Sequence, residues 1–459
     1  MADALVTWLP LVMFAVLTVL LFTGVPVMFV LGGTAVAFWA LAVLLGLENP
    51  LTFFLVVGRV FGEVVNNLVL VAIPMFILMG VAMEQSGIAR DLLQSLQLML
   101  RRFPGGLALA VTLLGVVMAA TTGIIGASVV MMTLMALPVM LEQRYDPGLA
   151  TGTIAASGTL GILIPPSIML VVMADLLGSS VGTLFIAAIG PGILLAGLYL
   201  LYILARAHLR PREAPPMTAA AVAEAVGSRG LARRLLASFV APVLLIVAVL
   251  GSIIAGVATP TEASGIGAAG ALLLAALRGG LKEDALATIL ERTVLTSAML
   301  FGIFVGATAF SYVFALLGGH DRIVEIVDAL GAGPWGVLLA LMAVVFLLGF
   351  FFDWIQITLI ILPVFAPVIA RLDFGAHVPW PELVVPWFAV LMAVNLQTSF
   401  LTPPFGFALF YLKGSAPAGV RMQDIYRGII PFVILQIIGL ALVALWPEIA
   451  LWLPHRLGA

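Results

Sequence analysis

The sequence predicts an all-α polytopic membrane protein made of two inverted five-span repeats, each holding a re-entrant hairpin and a discontinuous helix. Three observations carry this expectation. Hydrophobic residues make up 63% of the 459 positions and charged residues 9%, a balance that excludes a soluble domain of this length. Apolar stretches of about 20 residues recur along the whole chain, the length that crosses a bilayer as a helix and not as a barrel strand. The plan of residues 1–205 then returns in residues 235–459, shifted by roughly 230 positions, as an internal repeat of the kind secondary transporters use.

Composition also excludes whole classes of chemistry. Without cysteine there is no disulfide, thiolate metal site or thiol nucleophile. His208, His320, His377 and His455 lie in polar connectors or near the C-terminal end, so neither a histidine metal centre nor a buried proton relay is expected. No basic patch suits nucleic acid. Asp3 and the lack of Lys or Arg before the first apolar run leave no positive n-region of a secretory signal, and they permit an outside N-terminus.

The elements follow in order. Runs at 5–22 and 25–47 flank Thr23-Gly24 and predict two helices with a tight turn. Residues 50–67 mix Arg59 and Glu63 with phenylalanines, as an interfacial helix would. A span at 68–83 precedes an amphipathic stretch at 88–103. Residues 105–140 are apolar except at their midpoint, Thr121-Thr122-Gly123, with Ser128 close behind. This run is either two full spans or a re-entrant hairpin with a polar tip. Residues 149–177 should span the membrane, yet Pro165-Pro166 interrupts them, and one interior proline already costs about 3 kcal/mol. Broken backbone at membrane depth persists only where it is buried in protein or lines a polar cavity. A span at 181–205 and a Pro-rich, Arg-rich cytoplasmic linker at 206–234 close the first half.

The second half is read as spans at 235–255 and 261–277, an amphipathic stretch at 280–292 and a span at 293–317. A second hairpin at 335–370 is interrupted by Asp353, and a second broken helix at 384–412 carries Thr402-Pro403-Pro404. The last span is 428–446. With both long runs as hairpins and the N-terminus outside, 16 of the 20 basic residues fall inside, leaving Arg59, Arg322, Arg371 and Arg456 outside. That is the positive-inside bias, and it places both termini on the outer face. Full crossings would leave the same loops on the same sides, so charge does not fix the depth of the tips.

Asp353 is the only acid lying centrally in a long apolar run. A carboxylate at the bilayer centre costs on the order of 2.5–3.5 kcal/mol on the lenient scales, which marks it as functional unless it sits in a solvated turn. Thr121, Thr122, Gly123 and Ser128 occupy the matching place in the first half, although such residues also serve close helix packing. Gly158, Thr159, Gly161, Pro165, Pro166 and Ser167 form the first break. Asn395, Gln397, Thr398, Thr402, Pro403, Pro404 and Gly406 form the second and its approach. A lone proline pair is a kink; two pairs at matching positions, each following a polar-tipped hairpin, form a constellation. Hydroxyl and freed carbonyl oxygens suit Na⁺ as a coupling ion, with ligands expected at Thr122, Ser128, Gly158, Asp353 and Thr402. Glu262 reads as a helix cap, and Asp175 and Glu84 as interfacial charges.

These residues resemble a family. Ile73-Pro74-Met75-Phe76 followed by Gly80, the run Gly158 to Ser167, Ala258-Thr259-Pro260-Thr261-Glu262-Ala263, and Thr402-Pro403-Pro404-Phe405-Gly406 are similar to the large membrane subunit of TRAP transporters, the DctM-like permease. The resemblance implies an elevator-type, Na⁺-driven importer in the bacterial inner membrane, and no enzyme. It further implies a small four-helix membrane subunit and a periplasmic substrate-binding protein that delivers an organic acid. The family's Ser-Gly-Ser-Ser first tip is replaced here by residues 121–128, and the 349–354 tip resembles the branch associated with keto acids, lactate or mannitol-type and chloroaromatic substrates. Two other readings compete: a stand-alone Na⁺/anion symporter of related fold, and an intramembrane enzyme using Asp353, which lacks a partner acid or base.

Overall fold

In hydrocarbon a backbone must satisfy its own polar groups, which leaves apolar runs the choice of helix or closed barrel. Here they fold as helices, and no strand occurs among the described residues. The computed structural model describes residues 2–122, 125–217, 231–281, 283–403 and 406–458. Helices α1 (Ala2–Leu21) and α2 (Val27–Leu44) are joined through Gly24, which has φ +80°. A 3₁₀ turn (Pro50–Phe53), α3 (Phe54–Val60) and a π turn (Phe61–Val65) follow. Phe54, Leu55, Val57 and Phe61 stay exposed on this arm. Helices α4 (Ala72–Gln85) and α5 (Ile88–Met99) meet at a 60° bend. The first hairpin is α6 (Gly106–Thr122) and α7 (Ile125–Glu142). The first broken helix is α8 (Pro147–Thr159), a 3₁₀ turn (Leu160–Ile162) and α9 (Ile168–Leu176); α10 (Val181–Leu209) completes this half.

The second half runs α11 (Leu231–Ile254), α12 (Pro260–Leu277), α13 (Glu283–Leu316) and α14 (Gly319–Leu330). Its hairpin is α15 (Gly333–Leu348) and α16 (Trp354–Ile369), its broken helix α17 (Val384–Leu401) and α18 (Phe407–Ser415). Helices α19 (Met422–Leu445) and α20 (Glu448–Leu457) end the chain. Among the described residues seven helices are long and apolar enough to cross a membrane, or eight if α4 and α5 count as one span.

One expected boundary is absent. Residues 280–292 were expected as a separate amphipathic stretch before a span, but α13 is a single helix of 34 residues. At 1.5 Å per residue it is about 50 Å long, well beyond the ~30 Å hydrocarbon core. A change from polar to apolar sequence does not end a helix; a breaker does, and no glycine or proline occurs between Glu283 and Phe301. The polar end is held by Arg292, whose guanidinium grips both carboxylate oxygens of Glu84 at 2.9 and 3.1 Å. Glu262 caps α12 as expected, in a reciprocal box with Thr259.

Packing is reciprocal between the halves. Helix α4 packs on α12 as α2 packs on α13, α6 on α8 as α15 on α17, and α7 on α18 as α16 on α9. Each hairpin's second arm thus meets the half-helix after the break in the other half. Glycine permits the tightest crossing: a Cβ on Gly428 of α19 would lie 1.9 Å from the Gly148 carbonyl oxygen, and one on Gly152 2.2 Å from that of Gly428. Such small-residue seams let membrane helices approach backbone to backbone.

The linker begins as a strap. The Glu213 and Ala214 carbonyls accept the Asp146 and Gly105 amides at 2.8 and 2.9 Å, and the Met217 amide reaches the Arg101 carbonyl at 3.3 Å. Arg206 joins Glu213 (2.8 Å) to Asp146 (3.2 Å), the residue that caps α8. Partial burial opposes it, but bonds and charge from Arg206 and Arg210 hold the Glu213 carboxyl below its usual range.

Candidate ion and substrate site

Each break is a helix that stops inside the protein. At the first, the Thr159 hydroxyl donates to the Ala156 carbonyl as α8 ends, and Pro165-Pro166 then supplies no N–H. The Ser167 hydroxyl donates to the Ile162 carbonyl at 2.7 Å, satisfying one acceptor the break lays bare. Gly158, Thr159, Gly161, Pro165, Pro166 and Ser167 are all buried. At the second, the Thr402 hydroxyl donates to the Thr398 carbonyl at 2.7 Å, and Pro403 forms the turn. Pro404 lies outside the described residues. Gly406 has φ +27°, and a Cβ there would lie 2.9 Å from the Phe400 carbonyl oxygen, so glycine alone fits.

Both hairpins lean on their own broken helix through the same contact. A Cβ on Gly115 would come within 2.6 Å of Ser157 Cβ, and one on Gly349 within 1.9 Å of Ser399 Oγ. These serines stand just ahead of the two breaks. The sequence carries a signal for this pair, Leu113-Leu114-Gly115 against Leu347-Leu348-Gly349. Gly158 seats α8 on Val129 of α7 in the same manner.

The tips differ. Thr121 and Thr122 end α6, Gly123 lies outside the described residues, and Ser128 is buried in the first turn of α7. At the second tip Asp353 is the N-cap of α16. Its carboxylate accepts the Trp354 amide at 2.7 Å, while its own amide donates to Gln356 Oε1 at 3.3 Å, closing a capping box. A carboxylate has about four acceptor sites, so capping leaves lone pairs free.

The polar residues ahead of the second break divide by face. Asn395 donates to the Met342 carbonyl at 2.7 Å and ties α17 to α15, toward which Ser399 also turns. Thr398 bonds to a carbonyl of its own helix. Gln397 stands two residues from both Asn395 and Ser399, about 200° around the helix, so it points away from the hairpin. It is fully buried, and its amide nitrogen and oxygen meet no hydrogen-bond partner.

Tyr411 of α18 was not foreseen. Its ring covers Gly126 of α7, so it stands against the first hairpin just past its tip. Helices α6 to α9 and α15 to α17 carry no Lys or Arg, and the Lys413 ammonium of α18 is turned to the Val420 carbonyl at 2.6 Å. The site is therefore a set of neutral oxygens and N–H groups with a single carboxylate. This is a donor set for a small hard cation.

An all-helical polytopic chain with two hairpins set against two broken helices defines the class: a membrane transporter. Comparison with known proteins gives the family. Residues 14–449 match the Tripartite ATP-independent periplasmic transporter, DctM component. The chain is 33% identical over 402 residues to the C4-dicarboxylate TRAP transporter large permease protein DctM of Pseudomonas aeruginosa, covering 86% of this chain and 88% of that one. It is 30% identical over 385 residues to the ectoine TRAP transporter large permease protein TeaC of Halomonas elongata, covering 84% and 86%. With the sialic acid TRAP transporter large permease protein SiaM of Vibrio cholerae it shares 27% over 438 residues, covering 95% and 96%. The solved YdaH transporter of Alcanivorax borkumensis superposes with a TM-score of 0.58 at 16% identity over 87% of this chain and 88% of that one, a likeness of fold. The chain belongs to the DctM family: it is the large permease subunit of a TRAP transporter, and not an enzyme.

Proposed function

We propose that this subunit imports an organic acid across the bacterial inner membrane, driven by Na⁺ and moving its site as an elevator. It works with a small four-helix membrane subunit and a periplasmic binding protein, and both of its termini face the periplasm. The observation that carries this reading is the doubled construction of the site, Gly115 on Ser157 and Gly349 on Ser399, each hairpin closing over its own break. Two such units back to back can bind coupling ions with the substrate between them. Thr122, Ser128, Gly158, Asp353 and Thr402 are the proposed Na⁺ ligands. With Asp353 as the site's charge and, among the described residues of the hairpins and broken helices, no free cationic side chain, a carboxylate substrate needs Na⁺ to balance it. Coupling then follows from electrostatics.

The elevator reading rests on how the helices group. The hairpins and broken helices pack with one another and with α10 and α19, while α4 on α12 and α2 on α13 make a frame that meets them through α4 on α6 and α13 on α16. Between α7 and that frame lies a cavity of about 850 Å³ bordered by Arg90, Arg278 and Arg292, on the face assigned to the cytoplasm. On the opposite face Asn67, just before α4, donates to Asp175 at the end of α9 at 2.7 Å. These fit a form open to the inside and tied shut outside. The relatives are named for C4-dicarboxylates, ectoine and sialic acid, so the family alone does not choose the acid.

The test is uptake into proteoliposomes holding this subunit and its small partner, with the binding protein outside. An inward Na⁺ gradient should drive accumulation of the acid that the binding protein carries. Uptake indifferent to Na⁺, or proceeding without the binding protein, would sink the proposal.

A further inference from the structure

Caps, seams and breaks account for most polar residues around the hairpins, and Tyr411 serves none of these ends. It lies one helical turn after Phe407, whose ring meets its own edge-on at 5.5 Å. The far end of the ring, and not its root, covers Gly126: a Cβ there would lie 2.8 Å from Tyr411 Cζ, 2.9 Å from Cε2 and 3.1 Å from Cε1. The hydroxyl-bearing end thus rests beside the first tip. Tyr411 remains 39% exposed, so this packing does not seal it away.

The chemistry of the site narrows its use. Among the described residues the hairpins and broken helices offer an acid held here only Lys413 as a cation, and that is turned to Val420, so recognition within these helices falls to neutral donors. A phenol is such a donor, and its ring offers an apolar wall beside it. A site that hydrogen-bonds a ligand oxygen discriminates far more sharply than an apolar pocket does.

We propose that Tyr411 is a specificity-determining residue for the translocated acid, its phenol O–H donating to an oxygen of that acid beside the first hairpin tip, with Gly126 leaving room for the ring. The inference rests on the organic-acid reading above. It assigns Gly126 a reason to lack a side chain. It also makes the hydroxyl, and not the ring alone, the selective element.

The test uses the complete three-part system in proteoliposomes, with radiolabelled succinate, lactate and pyruvate as probes. Tyr411→Phe keeps the ring and removes only the hydroxyl. It should lower Na⁺-driven uptake at least tenfold and change the ratio of rates among the three acids, with the Na⁺ concentration for half-maximal uptake unmoved. Gly126→Ala, which displaces the ring, should change the same ratio. Rates and ratios within twofold of wild type for Tyr411→Phe would overturn the inference. An equal loss for all three acids with a shifted Na⁺ dependence would also overturn it, by making Tyr411 a structural strut. Wild-type uptake that ignores Na⁺ is a different failure: it removes the coupling proposal, while the ratios still judge Tyr411.

Discussion

At position 353 one carboxylate caps a helix and is also the proposed charge of the ion site. The two roles separate by substitution, because asparagine caps about as well as aspartate but carries no charge. Asp353→Asn should leave the melting temperature within about 2 °C of wild type and raise the Na⁺ concentration for half-maximal uptake at least tenfold. An unchanged Na⁺ dependence would make Asp353 a cap and nothing more. Gly349 makes a second prediction at this scale. Gly349→Ala drives a methyl into Ser399, which overpacking costs of about 1–3 kcal/mol make visible as lost stability and uptake. Adding Ser399→Gly should restore part of both, as uptake rates of the double variant will report. That Asp353 interrupts the second hairpin was legible, because it is an isolated acid in a long apolar run. Its cap was legible too, since Asp353-x-x-Gln356 before an apolar run is a capping-box pattern. Tyr411 was not legible, because its meaning comes from Gly126, which is distant in the chain.

Helices in this protein are positioned by a few backbone contacts that tolerate no added atom. Gly428→Ala would place its Cβ 1.9 Å from the Gly148 carbonyl oxygen, and backbone cannot yield as a side-chain end can. A fall in melting temperature and loss of transport are expected. Gly197→Ala in α10, where nothing lies within 4 Å, is the control and should be neutral or stabilising. The strap predicts a pH dependence. Because the Glu213 carboxyl is held below its usual range, its tie to Arg206 is fully present above that range and is lost as pH falls through the lower native value. Hydrogen-exchange protection at the Gly105 and Asp146 amides should therefore hold from neutral pH down to about 5 and fall in stronger acid. In Glu213→Gln that dependence should vanish. Neither the strap nor the length of α13 could be read beforehand: a Pro- and Arg-rich run looks like a spacer, and a polar run before a span looks like a separate element. What decides both cases is hydrogen bonding and the lack of a breaker, which periodicity does not report.

For the molecule as a whole, the duplicated plan was the most legible feature, because proline pairs and glycines mark breaks regardless of context. The depth of the hairpin tips was not legible, since charge fixes only the ends of each run. Helices α6 and α7 have 17 and 18 residues and α15 and α16 have 16 each, so the arms are about 24–27 Å long against a core of ~30 Å. Arms of that length can end within the bilayer. The most direct test of a shared, membrane-embedded site uses the chain's freedom from cysteine. Single cysteines at Ser128 and Trp354 are labelled with a membrane-impermeant maleimide from each side of sealed vesicles, with Na⁺ and with K⁺. The account predicts that both positions react slowly, that their accessible side changes with conformational state, and that Na⁺ slows both together. Fast labelling of the two from opposite faces, indifferent to Na⁺, would contradict it.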